Sequence, residues 1–220
     1  MPERTGWASV RRYGSFGVVA MVAAAALSLA IPASRHELLR NLGRALVAED
    51  PPVEADIVIA STDSLGAGIL EAGKLIDSGL APRLGLFEHP PAPLQLELAR
   101  RGLPYVDLQA FSIQLARALG IEKIELIPAV VGTNDEGTVL AHWCKSRGIH
   151  SILFVSVADH SRRTHRVLNR ALRPDGISVA VRAASFSQFD PDRWWQSRDG
   201  QRTEIVEMQK LLADFLRHPF

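Results

Sequence analysis

Residues 151–172 read SILFVSVADHSRRTHRVLNRAL. Residues 151–157 form an apolar, branched run of strand length, and residues 161–172 continue at once with helical spacing. A strand that passes straight into a helix is half of a βαβ unit, and such units build parallel sheets covered on both faces. Asp159, His160, Arg162 and Arg163 fall at the junction, so ionisable side chains gather where the greasiest internal segment ends. In an open parallel sheet that end is where ligands bind.

The same alternation extends in both directions. Residues 57–59, 83–87, 124–127 and 178–181 read as strands, with a further short strand at 105–108. Helical stretches fall at 69–78, 94–101, 112–119, 134–147, 161–172 and 203–216. Gly79, Gly102 and Gly120 close three of them, as a left-handed cap residue requires. Continuous apolar strands alternating with helices predict a three-layer α/β fold of the doubly wound type with a mostly parallel sheet. Residues 35–54 read as a connector that ends at Asp50-Pro51-Pro52, where a helix cannot continue. The expected organisation is an N-terminal segment 1–34, the connector 35–54 and an α/β domain 55–220.

The N-terminal segment stands apart. Residues 13–34, YGSFGVVAMVAAAALSLAIPAS, carry no charged side chain over 22 positions, about the length that spans a bilayer. Arg11 and Arg12 precede it and Pro32-Ala33-Ser34 close it, which suits a signal peptide cut after Ala33 as well as a retained anchor. Arginines flank it on both sides, so charge does not orient it. The expectation is a single-pass anchor or signal helix, the lipid bilayer as its partner, an inner or plasma membrane location and a domain outside the cytoplasm. Over the whole chain, Lys+Arg is 25 against 24 Asp+Glu, a balance that offers no global field for nucleic acid. The one cysteine, Cys144, excludes an internal disulfide, and its helical position beside Trp143 reads as core.

Three loops collect candidate site residues at the carboxyl edge of the sheet. After residues 151–157 come Asp159, His160, Arg162 and Arg163, a planar-fork set suited to phosphate or carboxylate. After 124–127 come Thr133, Asn134, Asp135 and Glu136; Thr133 with Glu136 spells a capping box, yet Glu136 also suits an acid/base role beside His160. After 57–59 come Ser61, Thr62 and Asp63, followed by Gly66 and Gly68 at a spacing that fits neither a dinucleotide nor a Walker loop. His165 and Arg166 read as surface, and Trp194-Trp195 as packing. Asp63, Glu88, His89, Asp159 and His160 offer metal-ligating types without a spacing that demands an ion, so no metal is assigned, and no cofactor is named. No GxSxG elbow occurs.

Several of these segments, taken in order, resemble the YdcF/SanA/ElyC-like family of bacterial envelope proteins. They are Ala55-Asp56-Ile57-Val58-Ile59, Leu75-Ile76-Asp77-Ser78-Gly79-Leu80-Ala81-Pro82, Gly132-Thr133-Asn134-Asp135-Glu136, Phe154-Val155-Ser156-Val157-Ala158-Asp159-His160-Ser161-Arg162-Arg163, Trp194-Trp195 and Glu207-Met208-Gln209-Lys210-Leu211-Leu212. The resemblance implies a Rossmann-like domain behind an N-terminal membrane helix and a role in envelope biogenesis. Ser61-Thr62-Asp63-Ser64 and Glu88-His89-Pro90 stand where the family usually has glycine-rich turns.

The leading expectation is a membrane-anchored protein whose domain binds a phosphate-bearing or other anionic ligand, with hydrolase or transferase chemistry open. In it His160 and Glu136 move protons, while Arg162, Arg163, Thr133, Asn134, Asp159, Ser61, Thr62 and Asp63 bind the ligand. Glu136, His160 and Arg163 line one electropositive hollow. The alternative is a non-catalytic module for a small adenosine-like or S-adenosylmethionine-like ligand, or an interaction protein of the envelope.

Overall fold

The computed structural model describes residues 32–219. The chain divides into two units at Leu42/Gly43, and the second, Gly43–Phe220, contains the α/β domain. Most of the expected membrane segment, residues 13–31, lies outside the described residues. Among the described residues no helix is long and apolar enough to cross a membrane.

Five parallel strands make one sheet in the order β3-β2-β1-β4-β5. They are β1 (Ile57–Ala60), β2 (Leu84–Phe87), β3 (Ile124–Ile127), β4 (Ser151–Ser156) and β5 (Ser178–Ala183). All four residues of β1 are buried, so both faces of this central strand are covered. Ile57 and Ile59 pack with Leu140, Trp143 and Cys144 of one helix, α5 (Thr133–Arg147), and with Leu168 and Leu172 of another, α6 (Ser161–Leu172). Val58 and Ala60 pack instead with Ile69, Ala72 and Leu75 of α2 (Leu65–Asp77) and Ala116 of α4 (Leu108–Ala118). Each large side chain so buried contributes about 1.5–3 kcal/mol by leaving water. The remaining helices are α1 (Pro32–Ala45), α3 (Pro93–Arg100) and α7 (Arg198–Arg217).

Strand order reverses at β1, with β2 on one side and β4 on the other. A crevice opens at such a switch point, outside the strands' carboxyl ends. At the opposite edge Asp56 locks the register: its carboxylate accepts the N–H groups of His150 at 2.7 Å and Ser151 at 3.0 Å. Those bonds hold its pKa below the ordinary value.

One expectation is corrected here. Residues 105–108 form no strand; the chain stays irregular to Asp107, whose carboxylate accepts the Ala110 N–H at 2.9 Å and starts α4. That cap satisfies a first-turn donor, which a short isolated strand would leave open. Residues from Gly43 onward, within the stretch read as a connector, fall in the same unit as the sheet. Ala48 donates its N–H to Ser161 Oγ at 2.8 Å, and Asp50 exchanges two bonds with Val181 at 3.0 and 2.8 Å. Asp50 thereby covers the open edge of β5, which would otherwise invite pairing with another chain.

One glycine is required by a close approach. A Cβ on Gly68, in the first turns of α2, would lie 2.0 Å from Ser64 Oγ, 2.7 Å from Ser64 Cβ and 3.3 Å from Ala60 Cβ. The start of α2 thus sits tightly on the end of β1. Alanine ordinarily stabilises a helix interior relative to glycine. Gly68→Ala is expected to do the reverse, lowering stability by about 1–3 kcal/mol through overpacking, read as a fall in the urea midpoint at unchanged slope. An unchanged or raised midpoint would contradict this packing.

Candidate functional site

The switch-point crevice is a hollow of about 680 Å³. Its floor is the β1–α2 turn with Asp63, Gly66 and Ala67, and the β4–α6 turn with Asp159 and His160. Its walls are Phe186, Ser187, Gln188 and Phe189 after β5, and Ser197, Asp199, Gly200 and Thr203 at the start of α7.

His160 stands at the centre. Its Nε2–H donates to Asp63 Oδ2 at 2.7 Å, and its Nδ1–H faces Asp159 Oδ2 at 3.4 Å. Burial disfavours its charge, but the bonds to Asp159 and Asp63 outweigh burial and lift its pKa to about 9. It is an imidazolium at neutral pH, with both ring nitrogens turned to carboxylates. Asp63 responds in kind: burial raises it, yet His160 and then Ser61, whose Oγ–H donates to Asp63 Oδ1 at 2.6 Å, hold it below the usual range.

Two further carboxylates crowd this pair. Glu136, 3% exposed, accepts the Thr62 N–H at 3.3 Å and the Thr62 hydroxyl at 3.2 Å. Burial, then the charge of Asp63, push its pKa up. Its side chain crosses to the β1 loop instead of folding back on Thr133, so the capping box is not formed, and α5 starts after Gly132 in extended backbone. Glu207 of α7 brings an oxygen within 4.8 Å of atoms from Asp159 and His160, a separation that a divalent cation also accepts. Its oxygens already take Arg163 Nη2 at 3.3 Å and Lys210 Nζ at 2.6 Å, so the cluster is complete as an ion network.

The arginines do not face the hollow. Arg162 donates Nε–H to the Ala45 carbonyl at 2.6 Å and Nη2–H to Val47, capping the last turn of α1. A cation there meets the negative end of a helix dipole. Arg163 pairs with Glu207 behind the site. Arg166 is half-buried, away from the hollow: it pairs with Asp214 at 2.7 Å and lies 3.6 Å from the Phe215 ring centroid. The expected electropositive hollow is therefore corrected. Its lining holds three aspartates and His160, with no lysine or arginine among the described residues.

Of the other sequence candidates, Asp63, Asp159 and His160 line the hollow, whereas Ser61 and Thr62 brace Asp63 and Glu136. Thr133 is half-buried at the start of α5 and is not in the lining; the side chain of Asn134 lies outside the described residues. Glu88 and His89 line a different hollow, where His89 Nδ1–H faces the Phe87 carbonyl at 2.9 Å. Cys144 is fully buried, and burial pushes its thiol up to about 12, consistent with core. Sequence reading missed Phe186 to Phe189 and the start of α7. The carboxyl-edge rule applied to β5 points to the first group; the second carries no such signal.

Leu65, at the head of α2, has φ 42, in the left-handed region that a branched side chain avoids. Ser64 Oγ donates to the Ser61 carbonyl at 2.8 Å and caps nothing, so the strained turn leaves the first N–H groups of α2 without a side-chain cap. Strain of this kind concentrates at sites where the surroundings hold it in place.

No family model matches the chain, and no curated protein matches it. Among solved structures, a universal stress protein in complex with cAMP aligns over 60% of this chain and 99% of its own, at 17% identity and a TM-score of 0.37. At that level the likeness bears on neither ligand nor activity.

Glu204 adds one titrating group nearby. It is 4% exposed on α7, its Oε2 has no hydrogen-bond partner, and burial pushes its pKa up to about 7. Both His160 and Glu204 bind protons more tightly folded than unfolded. The Glu204 contribution is complete below its ordinary 4.5 and is lost as pH rises through about 7; that of His160 is complete below 6.5 and is lost as pH rises through about 9. Stability should fall in two stages, together of order 3–6 kcal/mol. Glu204→Gln removes the first stage and His160→Gln the second, as read from urea unfolding between pH 4.5 and 9.5. A profile that neither variant changes would refute these assignments.

Proposed function

We propose that the domain is a binding module for a small, hydroxyl-bearing ligand that is neutral or cationic, seated at the switch point between β1 and β4. The charge of the lining carries this reading. Asp63, Asp159 and Asp199 are acceptors, Ser64, Ser187, Gln188, Ser197 and Thr203 are neutral partners, and His160 spends its charge on Asp63 and Asp159. A phosphate would meet carboxylates before it met an arginine, and like charges at close range are costly when partly desolvated. Hydroxyl groups suit the site, because each carboxylate oxygen accepts more than one hydrogen bond. The first N–H groups of α2 add donors for a ligand oxygen.

His160 in this reading is a positioning residue. A general base needs a free lone pair near the working pH. His160 is protonated up to about pH 9 and directs both nitrogens to aspartates. Its role is to hold Asp63 and Asp159 in place. Glu136 lies behind Thr62 and outside the lining.

Thermal unfolding of the full chain tests the reading. Adenosine and simple polyols should raise the midpoint by several degrees at concentrations well above their Kd, and inorganic phosphate and pyrophosphate should not. Asp63→Asn should abolish the rise. Stabilisation by phosphate that is lost in Arg163→Ala would instead restore an anionic ligand.

We also propose that residues 13–34 tether the domain to the cell membrane on its outer side, as the family resemblance implies; support comes from their 22 uncharged positions. Full-length protein should stay in the membrane fraction through a carbonate wash, and a protein lacking residues 1–34 should not. Release of both forms would end the proposal.

A further inference from the structure

We infer that Phe186 is a stacking platform, and that the ligand of the hollow carries a flat, electron-rich, uncharged ring alongside its hydroxyl groups, as a nucleoside does. This rests on the binding reading above and names the ligand class within it.

Phe186 and Phe189 both line the hollow on the turn that follows β5, but they differ. Phe189 is buried in the cluster with Leu46, Ala158 and Leu211, whereas Phe186 is 66% exposed. A lone exposed phenylalanine is unremarkable on a mobile loop. This one sits on a pinned turn. Ala184 donates its N–H to the Ser156 carbonyl at 2.8 Å, and Ser187 returns its N–H and its hydroxyl to the Ala184 carbonyl at 3.1 and 2.8 Å. Ser187 Oγ also accepts the Ala158 N–H at 3.0 Å, tying this turn to the one that carries Asp159 and His160. The ring is thus presented from a rigid base on the same edge as the acceptors.

Lys74 selects the kind of group the ring can take. Its ammonium lies 5.2 Å from the Phe186 ring centroid. It is held there by Glu71 Oε2 at 3.1 Å and Ser185 Oγ at 3.3 Å, and Ser185 Oγ–H donates in turn to Glu71 Oε2 at 2.6 Å. Glu71 is 6% exposed; burial opposes its charge, and Ser185 and then Lys74 outweigh that and hold its pKa below the ordinary value. With a cation over one face, only the other face is open to a ligand, and the ring's electron density is already drawn toward Lys74. A second cation, such as a quaternary ammonium, is disfavoured there. A flat, electron-rich heteroaromatic ring is favoured, and its sugar hydroxyls would fall to Asp63 and Asp159 in the same hollow.

Titration calorimetry of the full-length chain with adenosine, methyl β-D-ribofuranoside and choline tests this. Adenosine should bind at least tenfold more tightly than the riboside, and choline most weakly. Phe186→Ala should weaken adenosine about tenfold and leave the riboside unchanged, while Phe186→Trp keeps adenosine binding. Phe186 is exposed, so an unaltered circular dichroism spectrum and unfolding midpoint should accompany both variants. Equal affinity for adenosine and the riboside, unchanged by Phe186→Ala, would overturn the platform and leave the binding reading standing. Choline binding above adenosine would do the same. No response to adenosine or riboside, with binding of phosphate, would overturn the binding reading and this inference together.

Discussion

A single imidazolium holds the carboxyl edge of this sheet together. Asp63 follows β1, Asp159 follows β4, Glu136 belongs to α5 and Glu207 to α7, and all four lie around His160. Four partly desolvated carboxylates from four elements would repel one another, since charge interactions strengthen as water is excluded. The positive ring relieves Asp63 and Asp159 directly, while Arg163 and Lys210 neutralise Glu207 from behind. Glu136, last in line for a counter-charge, meets its surplus by taking a higher pKa. Breaking such an arrangement by removing one partner leaves a charge buried without compensation.

The arginines of α6 answer a different demand. Arg162 closes the end of α1, Arg163 reaches Glu207, and Arg166 and Arg170 share Asp214. Their spacing along α6 turns one helical face into a seam that ties residues 45–47 and α7 to the sheet. These arginines read as a phosphate-binding set in one dimension, but the carbonyls and carboxylates that consume them come from distant parts of the chain. Local chemistry set the residue types; long-range packing decided their employment.

The alternation of apolar strands and helices was legible from the outset, because both periods are written in the residues themselves. So was the place of the hollow, for Asp63, Asp159 and His160, which line it, were marked by their position after strands. The sign of its charge was not. It depended on the rotamers of Arg162 and Arg163 and on partners more than 40 positions away. Glu136 shows the same limit, since its local spelling suits a helix cap and its actual partner is Thr62. The strand expected at 105–108 failed because Asp107 serves as a helix cap. Phe186 lies in a turn whose rigidity comes from Ser156 and Ala158, which no local pattern announces.

The sheet and the hollow are completed at different points along the chain. Pairing of β5 with β4 closes the sheet at Ala183, whereas the far wall waits for Ser197 to Thr203. All five strands precede α7 in the chain, and without α7 the crevice would stand open on the side that this helix occupies. The four carboxylates likewise form one cluster only with Glu207 in place, so the hollow and its charge network depend on the same helix.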